Sequence, residues 1–324
     1  LIRNCLAAGG FSQTNSEVVA LHLVDAEMKG VASHGINRLG LYLSEAAKDV
    51  IDAKAQPVVT HPRDGVVHVD GARGIGIVAM AHATEALVEE AGKRSLAVAG
   101  VVNCAHSRRM GAYAEQAAAA GFLAMSFGGG GRRKWGNVVP FGGVQPVMST
   151  NPYTLALPGL PHDPVVADFA ISTHATGKVA VARANGELLP PDAVIDRAGN
   201  PTCDPEDYYA GGALLPAAGP KGSGLGIIAE MMGDAMLGDC VEYNWLMVLV
   251  RADVFQPMAE YQRRAEGFVE EVRNSKTAPG VERVLMPGER ETALAAEADR
   301  EGIRIGDGVW AGIVAAAASV GIEA

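Results

Sequence analysis

The sequence predicts an α/β protein. Short apolar runs suited to strands alternate along the chain with longer segments of helical period. The 324 residues are 48% hydrophobic and 20% charged, the balance of a globular protein with a sizeable core. Many of the forty glycines fall in loops between apolar runs, where tight turns and close backbone approach favour them.

The elements follow in order. Residues 16–28, SEVVALHLVDAEM, carry apolar residues at helical spacing. Ser33 is placed to cap a second helix from His34 to about Lys48. Residues 65–104 read strand, glycine turn, helix, strand. GAYAEQAAAAG (111–121) is a third helix, followed by the apolar run FLAMSF. Residues 128–143 form a glycine-rich basic loop ending in VPFGG. STNPYTLALPG (149–159) is a turn entering a strand, and PVVADFA (164–170) is another strand. Residues 185–216 are polar and proline-rich, a surface excursion. KGSGLGIIAEMMGDAML (221–237) opens on glycines and becomes a helix. WLMVLVRAD (245–253) is a buried-type strand, and residues 258–275 form an amphipathic helix. One or two further helices complete the tail, and no internal repeat is visible.

Bulk properties exclude several classes. A net charge of −10 argues against binding a phosphate backbone, so no nucleic-acid partner is expected. Cys5, Cys104, Cys203 and Cys240 have neither CxxC nor zinc-type spacing. They read as reduced thiols of a cytoplasmic protein. The longest apolar stretch, VWAGIVAAAASVGI, is short and alanine-rich, so no membrane span is expected. The chain opens on Leu1, so an upstream segment is expected, while the first residues read as an ordinary soluble helix.

Three stretches invite a chemical reading. In GVASHGINRLGLY (30–42), His34, Arg38 and Tyr42 recur at steps of four. On a helix they would share one face, either a site with an acid/base group, a cation and a phenol, or an ordinary amphipathic turn. GIGIVA (74–79) fits a dinucleotide-binding fingerprint, yet the next strand ends VVNCAH without the acid that would bind a ribose. Packing at a tight turn is the favoured account of those glycines. GPKGSGLG (219–226) combines Lys221 with a helix start and suits an anion or a structural turn.

Seven stretches in register carry a resemblance. They are GVASHGINRLGLY, VVHVDGARGIG (66–76), NCAHSRRMGAYAEQAAAAG (103–121), VPFGGVQPVMSTNPYTLALPG (139–159), VVADFAIS (165–172), LLPAAGPKGSGLG (214–226) and MPGER (286–290). Together they resemble the malate/L-lactate dehydrogenase family of the second, non-Rossmann type, over essentially the whole chain. That family includes ureidoglycolate and sulfolactate dehydrogenases and reductases of cyclic imino acids such as piperideine-2-carboxylate. The resemblance implies a three-layer mixed-sheet fold like that of sulfolactate dehydrogenase, not a Rossmann fold. It also implies an NAD(P)-dependent oxidoreductase, with NAD or NADP as cofactor, usually a homodimer. Residues 1–324 would form one family unit. Within it, 1–60 would be a helical segment carrying the SHG motif, 61–270 the mixed-sheet cofactor and substrate region, and 271–324 a helical tail.

The resemblance also distributes roles. His34 and His106 compete for proton transfer, which an imidazole titrating near neutrality suits. A packing histidine is the plain alternative. Arg38 would fix a small carboxylate-bearing substrate through paired hydrogen bonds, or be a solvated helix arginine. Ser33, Tyr42, Thr150 and Asn151 would line the substrate site, or respectively cap, pack and turn. Asp168, Ser172, Lys221, Gly222, Gly288 and Glu289 match cofactor-contacting elements, although Asp168 also suits a turn cap. No metal is implied. The chain departs from the family in HSRRMG, with Arg108 where a glycine is usual, and in the long loop GGGGRRKWGN (128–137). Arg108, Arg132, Arg133 and Lys134 would bind a second acidic group, cover cofactor phosphates, or simply be solvated. These changes leave open a second reading, a cofactor-binding member with altered or lost chemistry. A Ser33–His34 hydrolase is disfavoured, because adjacent helix residues diverge and no nucleophile elbow is present.

Overall fold

The computed structural model describes residues 1–159 and 163–324. Its ten strands, among the described residues, are β1 (Val58–Arg63), β2 (Val66–Asp70), β3 (Leu96–Val102), β4 (Phe122–Gly129), β5 (Pro152–Leu157), β6 (Val165–Ala170), β7 (Val194–Ile195), β8 (Pro201–Thr202), β9 (Ala213–Leu214) and β10 (Asn244–Arg251). Seven form one sheet in the order β1-β2-β3-β10-β4-β5-β6. Only β2 and β3 pair in parallel, across the helix α4 (Gly76–Arg94) that connects them. β10 runs antiparallel to both β3 and β4. With both its edges paired, it takes the nearly continuous apolar run WLMVLV.

Helices cover both faces. α4 and α5 (Gly111–Ala119) pack one face through Met80, Leu87 and Tyr113 against Val67, Ala99 and Met247. On the other face, α9 (Pro220–Met231) lies on β4, with Ala229 among Met148, Tyr153 and Ile171. Outside α4, a third cluster joins α1 (Ile2–Ala8), α2 (Gln13–Met28) and α3 (Leu39–Ala47) to α12 (Asp307–Ala318) through Leu6, Leu23, Tyr42 and Ile313. The predicted mixed-sheet α/β class is therefore observed. All four cysteines are free. No helix among the described residues is long and apolar enough to cross a membrane.

Three local expectations are corrected. The helix expected from His34 to Lys48 is two 3-10 turns, Ala32–His34 and Ile36–Arg38, followed by α3. The break falls at Gly35, which is extended, because the Glu27 carboxylate occupies the space a Cβ would fill and accepts the Ile36 N–H at 3.2 Å. Ser33 accordingly caps no helix. The excursion 185–216 is more than surface, since β8-β7-β9 form a small sheet whose Val194 and Leu214 are fully buried. Its strands are two residues each, too short for a periodic signal. GIGIVA, by contrast, is the packed turn that the missing acid had favoured. A Cβ at Gly76 would overlap the Ala105 carbonyl, so the loop after β3 sits where a pyrophosphate would have to lie.

Glycine also sets the approach of α9 to the sheet. Beyond α9 the chain makes a π-helical turn, Met232–Met236. A Cβ at Gly129 would overlap the Ala229 backbone, and one at Gly233 would overlap Gly129. Gly129→Ala is expected to cost about 3 kcal/mol, because backbone cannot give way as a side-chain tip can. The urea midpoint of the variant reads this loss. An unchanged midpoint would mean the two backbones do not touch.

Candidate active site

Sheet order gathers the candidate residues at one end of the sheet. β10 is antiparallel to β3 and β4, with Trp245 opposite Val101 and Asn244 opposite Gly129. The segment before β10 therefore lies beside the segments following β3 and β4. Those three segments carry Glu242, His106 and Lys134. β5 begins beside the end of β4, and β6 ends beside the start of β5, which adds Thr150 and Ser172 to the same end.

The turn bearing His34 folds against this end. His34 Nδ1 lies 2.9 Å from Ser33 Oγ, and Arg38 Nε donates to the Ser33 carbonyl at 3.0 Å. Tyr42 is fully buried, and its hydroxyl accepts a hydrogen bond from Arg108 Nε. The Arg108 guanidinium stands 5.1 Å from the Tyr42 ring centroid. Arg108 adopts φ 63°, the left-handed backbone that glycine takes without cost. The chain thus keeps a glycine conformation there while adding a cation. No carboxylate among the described residues pairs with Arg108, and its buried Nη2 has no partner.

His106 meets a different environment. Its Nδ1 lies 3.2 Å from Glu242 Oε2, and Glu242 is only 3% exposed. Lys134 Nζ donates to Glu242 Oε1 at 2.8 Å, and the Trp135 ring is 5.9 Å from the imidazole. Glu45, from α3, completes the group, since donor atoms of Glu45, His106 and Glu242 lie within 4.8 Å of one another. Glu45 Oε2, His106 Nδ1 and Glu242 Oε2 all lack a hydrogen-bond partner. Metal-ligating spacing is thus present, but Lys134 and Arg108 already place positive charge at this cluster and oppose a dication.

Electrostatics makes both imidazoles neutral. Burial, then Arg108 and Arg38, push His34 down to about 4. Burial, then Arg108, Lys134 and Arg38, push His106 down to about 3. Arg38 itself is pushed down by burial and by Arg108. Burial raises Glu242 despite Lys134. His34's shift therefore has burial first and neighbouring cations second as its cause.

The basic loop is largely neutralised from within. Its short helical turn, Arg132–Trp135, brings Arg132 to Asp234 and within 3.8 Å of Glu230, and Lys134 to Glu242. Arg133 is exposed and makes no ion pair among the described residues. Arg109 is structural. It is 4% exposed and grips both oxygens of Glu115 at 2.9 and 2.7 Å.

The remaining expected residues divide. Thr150 Oγ1 lies 3.4 Å from the Tyr243 hydroxyl. Asn151 has no exposed surface, and its amide donates to Glu230 at 2.9 Å and to the Gly128 carbonyl at 3.3 Å. Asp168 accepts the Gly111 N–H, at the start of α5, at 2.7 Å and the Thr154 hydroxyl at 2.8 Å. It also lines a cleft of about 380 Å³ with Val31, Arg109, Phe169, Gly288 and Glu291. Gly288 takes φ 86° at the start of α11 (Glu289–Glu301). Glu289 accepts the Met286 N–H at 3.0 Å and pairs with Arg273 at 3.3 Å. Ser172 and Gly222 meet around one strand of chain. Ser172 bridges to Pro216, and Gly222 N donates to the Ala217 carbonyl at 3.0 Å. Lys221 is exposed on the first turn of α9 and makes no ion pair among the described residues.

Sequence reading missed Glu45, Glu242 and Trp135. Glu45 follows Tyr42 by three, so asking which residues share Tyr42's helix face at three as well as four steps would have found it. Glu242 carries no local signal, since only the strand order brings it to His106.

Comparison with known proteins bears on the family and the fold. The malate/L-lactate dehydrogenase family profile matches residues 1–314. The chain is 33% identical over 311 residues to the Δ1-pyrroline-2-carboxylate/Δ1-piperideine-2-carboxylate reductase of Pseudomonas putida, covering 91% of this chain and 88% of that protein. It is 30% identical over 327 residues to the ureidoglycolate dehydrogenase (NAD(+)) of Escherichia coli K12, covering 96% and 91%. The solved sulfolactate dehydrogenase of Methanocaldococcus jannaschii superposes with a TM-score of 0.88 at 25% identity, covering 99% of this chain and 95% of that one.

Proposed function

The chain belongs to the malate/L-lactate dehydrogenase family, and from that premise we propose how its own residues divide the work. It is an NAD(P)-dependent dehydrogenase or reductase acting on 2-hydroxy/2-oxo acids or cyclic 2-imino acids. The observation that carries the assignment of roles is the convergence of two neutral imidazoles with two arginines, Arg38 and Arg108.

The nicotinamide cofactor supplies or accepts the hydride. The cleft beside Asp168 and Gly288 fits such a group, being of ordinary ligand-site volume. Lys221 offers an unpaired ammonium for a phosphate. Ser172 and Gly222 shape the same region, while Glu289 fixes the turn at 286–289. Arg38 and Arg108 hold the substrate carboxylate. His34 and His106 stand where the proton must move, with Ser33 orienting His34. Tyr42 fixes Arg108, Thr150 faces the pocket, and Asn151 holds the turn behind it.

This arrangement makes proton transfer depend on the substrate. In the free protein burial, reinforced by the arginines, holds the imidazoles neutral, which leaves a ring nitrogen able to accept a proton from an alcohol or amine. Reduction needs an imidazolium. A bound carboxylate neutralises Arg38 and Arg108, removes their repulsion and raises the histidine pKa. The apparent pKa read from kcat, which belongs to the substrate complex, is therefore expected above that read from kcat/KM. Equal values in the two profiles would sink this coupling.

The reaction itself is tested by following reduced-nicotinamide absorbance with NADH and NADPH against 2-oxo acids and cyclic imino acids. Oxidation of either cofactor is expected. Nucleotide binding without turnover across the panel would favour a member with altered chemistry.

We also propose a cytoplasmic homodimer of one-unit subunits. The free cysteines fit a reducing compartment. The N-terminal helices share one core with α12, which supports a single unit. β6 is an edge strand of the seven-stranded sheet, and a second copy would cover such an edge. Sedimentation equilibrium checks the dimer.

A further inference from the structure

We propose that Glu242 is a positioning residue for His106, and that His106 is thereby the group that moves the proton. This rests on the hydride-transfer reading above and decides between its two histidines.

The two imidazoles differ in what stands behind them. His34 Nδ1 faces a serine hydroxyl, which carries no charge. His106 Nδ1 faces a carboxylate oxygen 3.2 Å away on a residue 3% exposed. A carboxylate there orients the ring, holds the proton on Nδ1 and stabilises the imidazolium when it forms. With Nδ1 turned to Glu242, the other ring nitrogen is left for the substrate.

The segment in which this chain departs from its family builds the support. Lys134 clamps Glu242 Oε1 at 2.8 Å, which leaves Oε2 for His106, and Trp135 flanks the ring. Glu45 approaches from α3 with its Oε2 unpartnered. The charged and titratable groups acting on His106 are thus Glu242, Glu45 and Lys134 around Nδ1, with Arg108, Arg38 and His34 on neighbouring elements. Among them, Glu242 brings a carboxylate oxygen within 3.2 Å of Nδ1, where it favours a proton staying on that nitrogen.

The step balances. In oxidation the substrate O–H or N–H proton passes to the free nitrogen of His106. The hydride leaves C2 for the nicotinamide, and the C–O or C–N single bond becomes double. The imidazolium keeps its Nδ1–H toward Glu242 until the added proton is released to solvent. Reduction runs the same transfers backward.

The test is Glu242→Gln, which keeps size but removes the charge. Its kcat is expected to fall about ten- to a hundredfold with KM little changed. Loss of a carboxylate disfavours the imidazolium, so the pH limb of reduction should move to lower pH. In a His106→Ala background the substitution should have no further effect, whereas in His34→Ala it should retain its full effect. An unchanged kcat and pH limb in Glu242→Gln would overturn the proposal, as would an undiminished effect without His106. NMR titration of the His106 ring needs no substrate and separates this idea from the reaction assignment. A lower ring pKa in Glu242→Gln is expected, and an unchanged one overturns it even if the panel is silent. If Glu242→Gln fails to fold, Lys134→Met serves instead. Removing that cation should raise the ring pKa, and no shift counts against the clamp.

Discussion

His106→Ala is expected to lose about 10²- to 10⁴-fold in kcat, the span that a positioned acid/base group contributes. Nucleotide affinity should survive, since His106 stands with Glu242 and Trp135 and not in the cleft beside Asp168 and Gly288. His34→Ala should cost less than His106→Ala. Its ring contacts Ser33 and lies under the field of Arg108 and Arg38, a position that shapes the substrate site without a carboxylate to stabilise an imidazolium. Steady-state rates of both variants, with fluorescence titration of reduced cofactor, decide the matter. If His34→Ala proves the more damaging, the proton belongs to His34 and the Glu242 argument fails with it.

Arg108→Met is expected to raise KM about ten- to a hundredfold, the loss of a charge-assisted contact of about 1.5–3 kcal/mol. Arg38→Met should do less. Each arginine gives its Nε to the protein, Arg38 to the Ser33 carbonyl and Arg108 to the Tyr42 hydroxyl, but Arg108 also keeps a buried terminal nitrogen with no partner among the described residues. A second effect runs the other way. Arg108 follows burial as the next cause lowering both His34 and His106. Removing it favours the protonated rings, so both pKa values should rise and the reduction limb should extend to higher pH. Michaelis constants and NMR titration read these two consequences separately. An unchanged KM for every carboxylate substrate would remove Arg108 from the site.

The two departures in sequence resolve unequally. Arg132 and Lys134 looked free for a ligand, yet Asp234, Glu230 and Glu242 neutralise them. Arg108 looked like one of four equivalent cations, yet it alone sits against Tyr42 and acts on both histidines. Charge in the sequence names the candidates, but only the acids facing each cation separate an internal clamp from a substrate anchor.

The sequence by itself determined the α/β class, the family, His34 and Arg38 as candidates, and the absence of an acid that made GIGIVA doubtful. Each of these is written in local stretches of sequence, singly or several in register, where period, turn chemistry and motif spacing act directly. The tertiary structure alone decided the break at Gly35, the packing of Gly76 against Ala105, the burial of Asn151 and the meeting of Glu45, His106, Lys134 and Glu242. Those depend on strand order. Because β10 enters antiparallel between β3 and β4, three segments far apart in the chain end at one place, and no local pattern encodes that neighbourhood.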